Sequence, residues 1–266
     1  MNPIMKLNIA IRTALLLFVA ALSALNLHAS IQEADKAYAN DEFPKAIQLY
    51  LQTAANEGTS PSLFYNLGNA YYRDGQLGKA ILNYNRALKL DPTYADALTN
   101  LEFVNTKIID KPVDNDSLTD KVTNKIITFL NPNQWAYTTA ALFLIMILCA
   151  AGYIFLNSVK LRKASFFTAL ILLFATIAGI IISINAANRQ LSHNDAIITA
   201  ESVQLSTSPR QPKDKSEEAM LLHEGTLVNI IDSLKVQGVD GNPTWYEVTV
   251  NKEHRAWINA ANLERI

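Results

Sequence analysis

The side chains of this sequence that could take part in chemistry are of types that bind a peptide. Asn69 carries an amide that can donate a hydrogen bond to a ligand backbone, and Arg73 can pair with an acidic group. The candidate binding residues are Tyr65, Asn69, Tyr72, Arg73, Asp35 and Tyr38. The alternative interpretation is that these are ordinary solvated surface residues.

No residues in the sequence have the spacing of a catalytic or metal site. The histidines His193, His223 and His254 do not follow a metal-ligand pattern, and there is no nucleophile paired with a base and no phosphate-binding loop. A single cysteine, Cys149, excludes an intrachain disulfide. We therefore expect no catalytic residue, no metal and no cofactor, and a protein that is not an enzyme.

The net charge of −1 over 266 residues argues against nucleic acid as a partner. Binding a phosphate backbone needs several basic side chains on one surface, and the sequence has no such cluster.

The elements that position the candidate residues follow from an internal repeat. The segment FPKAIQLY at Phe43–Tyr50 returns as LGKAILNY at Leu77–Tyr84. The two segments are 34 residues apart, which is the length of a tetratricopeptide repeat. In this repeat, pairs of helices stack and the first helix of each pair lines a concave surface. We predict repeats at 30–60 and 61–94, and a capping helix at 93–109, which together form an all-α solenoid domain at 30–110.

Small and large residues alternate in the second repeat as helix packing requires. Gly68 and Ala80 are predicted to lie where the paired helices cross, and Tyr71 and Tyr84 to fill the space beside that crossing. The candidate residues on the first helices then face the concave surface.

The N-terminus has the pattern of a secretory signal. Lys6 and Arg12 precede an apolar run at 13–25, and Ala29 precedes the expected cleavage site. We predict a signal peptide at 1–29; the alternative is an uncleaved anchor.

Two apolar stretches, at 135–156 and 164–187, contain no Asp, Glu, Lys or Arg. At ~1.5 Å per residue each can cross ~30 Å of hydrocarbon. Between them, a loop at 157–163 carries Lys160, Arg162 and Lys163, and basic residues in short loops remain cytoplasmic. We therefore predict a transmembrane hairpin with both large segments on the non-cytoplasmic side of the membrane.

A linker at 111–134 joins the repeats to the first span. It contains an amphipathic segment with Leu118, Val122, Ile126 and Phe129 on one face. This segment is predicted to lie at the bilayer surface or, alternatively, to pack against the repeats.

The C-terminal segment, 190–266, changes to short β-prone runs separated by turns. We predict five strands that form a small all-β barrel. Their order resembles that of a bacterial SH3-type domain, and the residues that carry this resemblance are Glu224-Gly225-Thr226, Trp245-Tyr246 and Ala256-Trp257-Ile258. Trp245 and Trp257 are candidates for a surface that binds peptides or cell-wall material, although tryptophans in so small a fold also serve as core residues. The predicted fold class is thus a multidomain membrane protein with a repeat solenoid, a membrane hairpin and an SH3-like barrel.

The order of these parts resembles the Bacteroides aerotolerance (Bat) family. The residues that carry the resemblance are NLGNAYY at Asn66–Tyr72, NPNQWAY at Asn131–Tyr137, the basic hairpin loop and the terminal barrel. The resemblance implies a protein of the bacterial inner membrane with both large segments in the periplasm. It also implies a scaffold for complex assembly or stress tolerance, with von Willebrand A-domain Bat proteins and, indirectly, a MoxR-type ATPase as partners. The alternative function is peptidoglycan sensing through the SH3-like domain.

Overall fold

The computed structural model describes residues 31–112, 117–192, 194–236, 243–250 and 254–266. The predicted signal peptide and His193 lie outside these residues. The helical part begins with α1, which covers residues 31–39. The following helices are α2 Phe43–Glu57, α3 Pro61–Arg73, α4 Leu77–Leu90, α5 Ala95–Asn105, α6 Leu118–Ile127, α7 Pro132–Phe155 and α8 Val159–Leu191.

Helices α1 to α5 form the helical repeats, and consecutive helices pack side by side. Ser60 caps α3 by accepting a hydrogen bond from the backbone N–H of Leu63, and Pro61 occupies the first turn. A Cβ atom built on Gly68 would lie 2.7 Å from a ring carbon of Tyr84. The glycine is therefore required, because it lets the ring of Tyr84 pack directly against the backbone of α3.

Helix α6 lies where the amphipathic segment was predicted. A capping box between Ser117 and Asp120 fixes its first turn. The helix contacts α8, and Arg189 donates a hydrogen bond to Asn124 at 3.3 Å. Its apolar side chains remain exposed, and Leu118 is 82% exposed.

Helices α7 and α8 are long and apolar enough to cross a membrane. They pack closely against each other. A Cβ atom on Gly179 would lie 2.6 Å from the Thr139 hydroxyl, so only glycine allows this approach. Most of their other apolar side chains are exposed.

The helices extend beyond the predicted apolar stretches of 135–156 and 164–187. Helix α8 begins at Val159, so Lys160, Arg162 and Lys163 lie in its first turns and not in a loop at 157–163. A helix satisfies its own backbone hydrogen bonds and can continue past the apolar stretch, while long basic side chains extend towards water. Arg162 also donates a hydrogen bond to the carbonyl oxygen of Tyr153 at 3.1 Å.

The C-terminal part is an antiparallel sheet in the order β3-β2-β6-β5-β4-β1-β7. Its strands are β1 Asp195–Ile198, β2 Ser202–Ser206, β3 Glu218–His223, β4 Leu227–Lys235, β5 Thr244–Val250, β6 His254–Asn259 and β7 Leu263–Arg265. Alternate residues of these strands, such as Val228 and Ile230, form one buried apolar cluster.

The prediction of five strands was wrong, because the structure divides two of the predicted segments. Gly225, with a φ of +87°, makes a turn between β3 and β4. A 3-10 helix at Ala260–Asn262 separates β6 from β7. The SH3-type barrel itself stays a prediction.

The sheet packs directly on the helical repeats. The backbone N–H of Gly78, at the start of α4, donates to the Glu224 carboxylate at 2.8 Å. A Cβ atom on Gly225 would lie 2.8 Å from Ile81 and 2.9 Å from Ile108. Glycine at this turn therefore allows the sheet to contact the repeats at backbone distance.

Asp110 forms a polar contact beside that apolar one. Its carboxylate accepts hydrogen bonds from the backbone N–H of His223 at 2.6 Å and from the Thr226 hydroxyl at 2.9 Å. Burial raises the pKa of Asp110, but the hydrogen bonds from His223 and Thr226 outweigh it, so the net pKa lies below the usual value. Asp110 is therefore charged at neutral pH and links the end of the repeats to the sheet.

The C-terminal half of α4 also contacts the last strand. Arg86 donates to the carbonyl oxygen of Arg265 at 2.7 Å, and Lys89 donates to that of Ile266 at 2.7 Å. Lys89 donates as well to the carbonyl oxygen of Ser192, just after α8. Helix α4 is thus connected to both the sheet and the end of α8.

The close contact at Gly179 predicts the effect of a larger residue. Gly179→Val would place side-chain atoms against Thr139, so we expect the free energy of unfolding to fall by about 1–3 kcal/mol. Thermal unfolding of the full chain in detergent measures this change. Ala178→Val, on the exposed side of α8, is the matched control and should leave stability unchanged. Equal effects of the two variants would contradict the packing described here.

Candidate functional site

The candidate binding residues lie on α1 and α3, and α5 extends their surface. We call this surface the recognition face. It consists of Asp35 and Tyr38 on α1, Tyr65, Asn69, Tyr72 and Arg73 on α3, and Asn100 and Phe103 on α5. Side-chain contacts connect the three helices: Asn66 donates to Asp35 at 3.3 Å, and the rings of Tyr72 and Phe103 lie 5.8 Å apart.

Asn69 is held by hydrogen bonds inside the repeat. Its amide oxygen accepts from the Tyr84 hydroxyl at 2.7 Å and from the Asn100 amide at 2.8 Å. Burial raises the pKa of Tyr84, so its hydroxyl stays protonated and remains a donor. The amide oxygen of Asn69 therefore holds α3 against α4 and α5. The amide N–H group of Asn69 is the part that could donate a hydrogen bond to a ligand.

Arg73 already has a carboxylate partner. It donates to Asp41 at 2.8 Å, and its guanidinium lies 4.6 Å from the centre of the Phe43 ring. The ion pair is exposed, with 71% of the Asp41 side chain accessible, so it contributes little to stability. A ligand carboxylate can therefore replace Asp41 at low cost while the Phe43 ring keeps Arg73 in position.

Asp35 and Tyr38 differ in their surroundings. The buried Tyr50 donates its hydroxyl proton to Asp35, so this carboxylate helps to hold α1 against α2. Burial and this hydrogen bond raise the pKa of Tyr50. Tyr38 packs edge-on against Phe43 with ring centres 5.7 Å apart, which places it next to Arg73 on the recognition face.

Two aromatic pairs connect α3 to the segment that contains α5 on the recognition face. Tyr65 packs edge-on against Tyr94 at 5.3 Å, and Tyr72 packs against Phe103. Phe103 is 50% exposed, and the Lys107 ammonium lies 4.6 Å from the centre of its ring. The recognition face thus offers apolar ring surfaces next to two cations, Lys107 and Arg73.

The sequence prediction missed several of these residues. Asn100, Phe103 and Lys107 recur at helical spacing in the predicted capping helix, which was given a structural role only. That spacing was the available signal. Asp41 lies in the turn before α2 and Phe43 is the first residue of that helix, and no local pattern indicated their contacts with Arg73.

The two candidate tryptophans of the sheet have different environments. Trp245 is only 4% exposed and belongs to the interior, so it cannot contact a ligand in this structure. Trp257 is half-buried on β6. Of the histidines, His223 contacts Asp110, and His254 is exposed at the start of β6.

Comparison with known proteins supports the repeat assignment. The TPR-repeat family matches residues 68–105, which run from the middle of α3 to the end of α5. A serine/threonine-protein phosphatase T from Aspergillus oryzae is 34% identical over 77 residues, which are 29% of this chain. The chain spans only 16% of the length of that curated relative, so the likeness is partial. Repeats of this kind are typical of scaffolds for protein–protein interaction.

The hydrogen bond to Asn69 predicts unequal roles for the two buried tyrosines of the second repeat. Tyr84→Phe removes the donor to Asn69, so we expect the free energy of unfolding to fall by about 1 kcal/mol. Tyr71→Phe is the matched control, because Tyr71 is also buried but makes no hydrogen bond through its hydroxyl within the described part of the chain. Chemical denaturation of the full chain in detergent, followed by helical circular dichroism, measures both. A Tyr71→Phe loss as large as that of Tyr84→Phe would refute this role of Asn69.

Proposed function

We propose that this protein is a non-enzymatic membrane adaptor whose recognition face binds a segment of a partner protein. The observation that carries the proposal is that exposed ring surfaces lie beside exposed cations on TPR repeats, above all at Phe103 and at Arg73, whose partner Asp41 a ligand carboxylate can replace. Such a surface suits a peptide that carries apolar side chains and a carboxylate.

Membrane anchoring through α7 and α8 is the second part of the proposal. It is supported by their length, their apolar composition and their largely exposed surfaces. Trp135, near the start of α7, donates its ring N–H to the carbonyl oxygen of Ile127. Tryptophan is typical of membrane boundaries, because its ring N–H can form a hydrogen bond while the rest of the ring lies in an apolar environment.

The proposed orientation places the repeats and the sheet in the periplasm of a bacterial inner membrane. The basic residues Lys160, Arg162 and Lys163 lie in the first turns of α8, next to the connection from α7, and basic residues close to the end of a membrane span favour a cytoplasmic position for that end. The resemblance to the Bat family further suggests von Willebrand A-domain proteins and, through them, a MoxR-type ATPase as partners in stress tolerance.

Peptidoglycan binding through the sheet remains the alternative function. The burial of Trp245 removes one of its two candidate aromatic contacts and leaves Trp257. The recognition face, with several accessible groups, is therefore the stronger candidate for the principal binding surface.

The proposal predicts that a double variant of the recognition face binds the partner more weakly. Arg73→Glu, combined with Phe103→Ala, should reduce the amount of partner recovered by on the order of tenfold, because it removes a cation and an apolar contact. In-cell cross-linking of the full chain, followed by quantitative mass spectrometry of the attached proteins, measures this loss.

The matched control is Lys45→Glu, which reverses an exposed charge on α2, a helix that contributes no residue to the recognition face. It should leave the set of attached proteins unchanged. If the control and the double variant give the same set as the unmodified protein, the recognition face does not bind the partner.

A further inference from the structure

A cavity of about 360 Å³ lies where the repeats meet the two long helices. This volume falls within the range of about 300–1,000 Å³ found for small-molecule sites. Residues from α4 to α8 and from both ends of the sheet segment line it, and those that carry the argument are Leu98, Leu101, Ile127, Pro132, Ala186 and Arg189. Neither the recognition face nor the sheet core includes any of them.

The walls of the cavity combine apolar surface with positive charge. Leu98 and Ile127 contribute hydrocarbon, while Arg189 and Lys89 contribute cations, against one carboxylate at Asp195. Lys89 donates hydrogen bonds to main-chain oxygens of Ser192 and Ile266, and it also interacts electrostatically with the Asp195 carboxylate. Asp195 therefore offsets the charge of Lys89, whereas Arg189 has no carboxylate partner among the described residues, so the cavity can accept an anion at Arg189.

Arg189 is the group best able to bind that anion. It is exposed, and one of its nitrogens donates to Asn124 at a long distance of 3.3 Å. A guanidinium has five N–H donors arranged to match phosphate, so further donors are available to a ligand.

The position of the cavity along the helices indicates where such an anion comes from. The apolar part of α8 ends near Ala186, and α7 begins at Pro132, so both helices change from apolar to polar sequence at the cavity. Exposed apolar side chains of α6 directly precede α7 in the sequence, and so does Phe129, which follows α6 and is 73% exposed. For an anchored protein this is the level of the lipid headgroups.

We propose that this cavity binds one anionic phospholipid, with its phosphate at Arg189 and the start of an acyl chain against Leu98 and Ile127. Basic pockets beside membrane helices recognise phospholipid headgroups in this way. The inference rests on the proposed membrane anchoring. It adds a specific lipid contact that would join the repeats to the bilayer.

Native mass spectrometry of the full chain in detergent tests the proposal. The probes are phosphatidylglycerol and phosphatidylcholine with identical acyl chains, and glycerol 3-phosphate as a free phosphate. We expect a one-lipid adduct with phosphatidylglycerol at concentrations where the other two probes give none. Equal adducts with phosphatidylcholine would overturn the anionic site, and equal binding of glycerol 3-phosphate would overturn the lipid as its source.

Two variants and a matched control locate the site. Arg189→Gln should weaken phosphatidylglycerol binding by about tenfold. Leu98→Trp should block it by filling the cavity. Arg162→Gln makes the same change at the opposite end of α8 and should leave binding intact. Unchanged binding in both cavity variants would overturn the proposal.

Alkaline extraction of membranes separates this inference from the anchoring on which it rests. If the protein stays in the membrane pellet but shows no preference for phosphatidylglycerol over phosphatidylcholine, only the lipid site is contradicted. If the protein is released into the supernatant, both the anchoring and the lipid site are contradicted.

Discussion

Helix α4 has to satisfy two interfaces at once, and the arrangement of the molecule depends on that constraint. On one side, Tyr84 packs against Gly68 of α3 and completes the repeat. On the other, Gly78 and Ile81 contact the sheet at backbone distance. A Cβ atom on Gly78 would lie 2.8 Å from the carbonyl oxygen of Ile198, so only the smallest residue permits this contact. A repeat helix is thereby also the docking surface for a second domain.

This double packing gives the recognition face a defined position relative to the long helices. The sheet follows α8 in the chain, and the end of α8 returns to α4 through the hydrogen bond from Gln190 to the carbonyl oxygen of Leu90 at 2.9 Å. After the last helix of the repeats, Asp110 joins them to the sheet by accepting a hydrogen bond from the backbone N–H of His223. A peptide bound on the recognition face would therefore be held at a fixed place above the proposed anchor, as an adaptor requires.

Local patterns in the sequence were enough to predict the helical repeats and the two apolar helices. The repeat depends on neighbouring small and aromatic residues such as Gly68 and Tyr84, and the apolar helices depend on composition alone. The packing of the sheet on α4 could not be predicted, because the contacting residues Gly78 and Glu224 are separated by 146 positions and no periodicity connects them. For the same reason the residue type of Asn69 suggested ligand binding, whereas its amide oxygen is used by Tyr84 and Asn100.

Distance measurement between two spin labels tests most directly whether the repeats and the sheet form one unit. The labels would replace the exposed residues Lys45 on α2 and Leu221 on β3, in the full chain with Cys149→Ala, reconstituted in lipid nanodiscs. Docking through α4 predicts a single narrow distance distribution. A broad distribution, as given by two domains that move independently, would contradict the account.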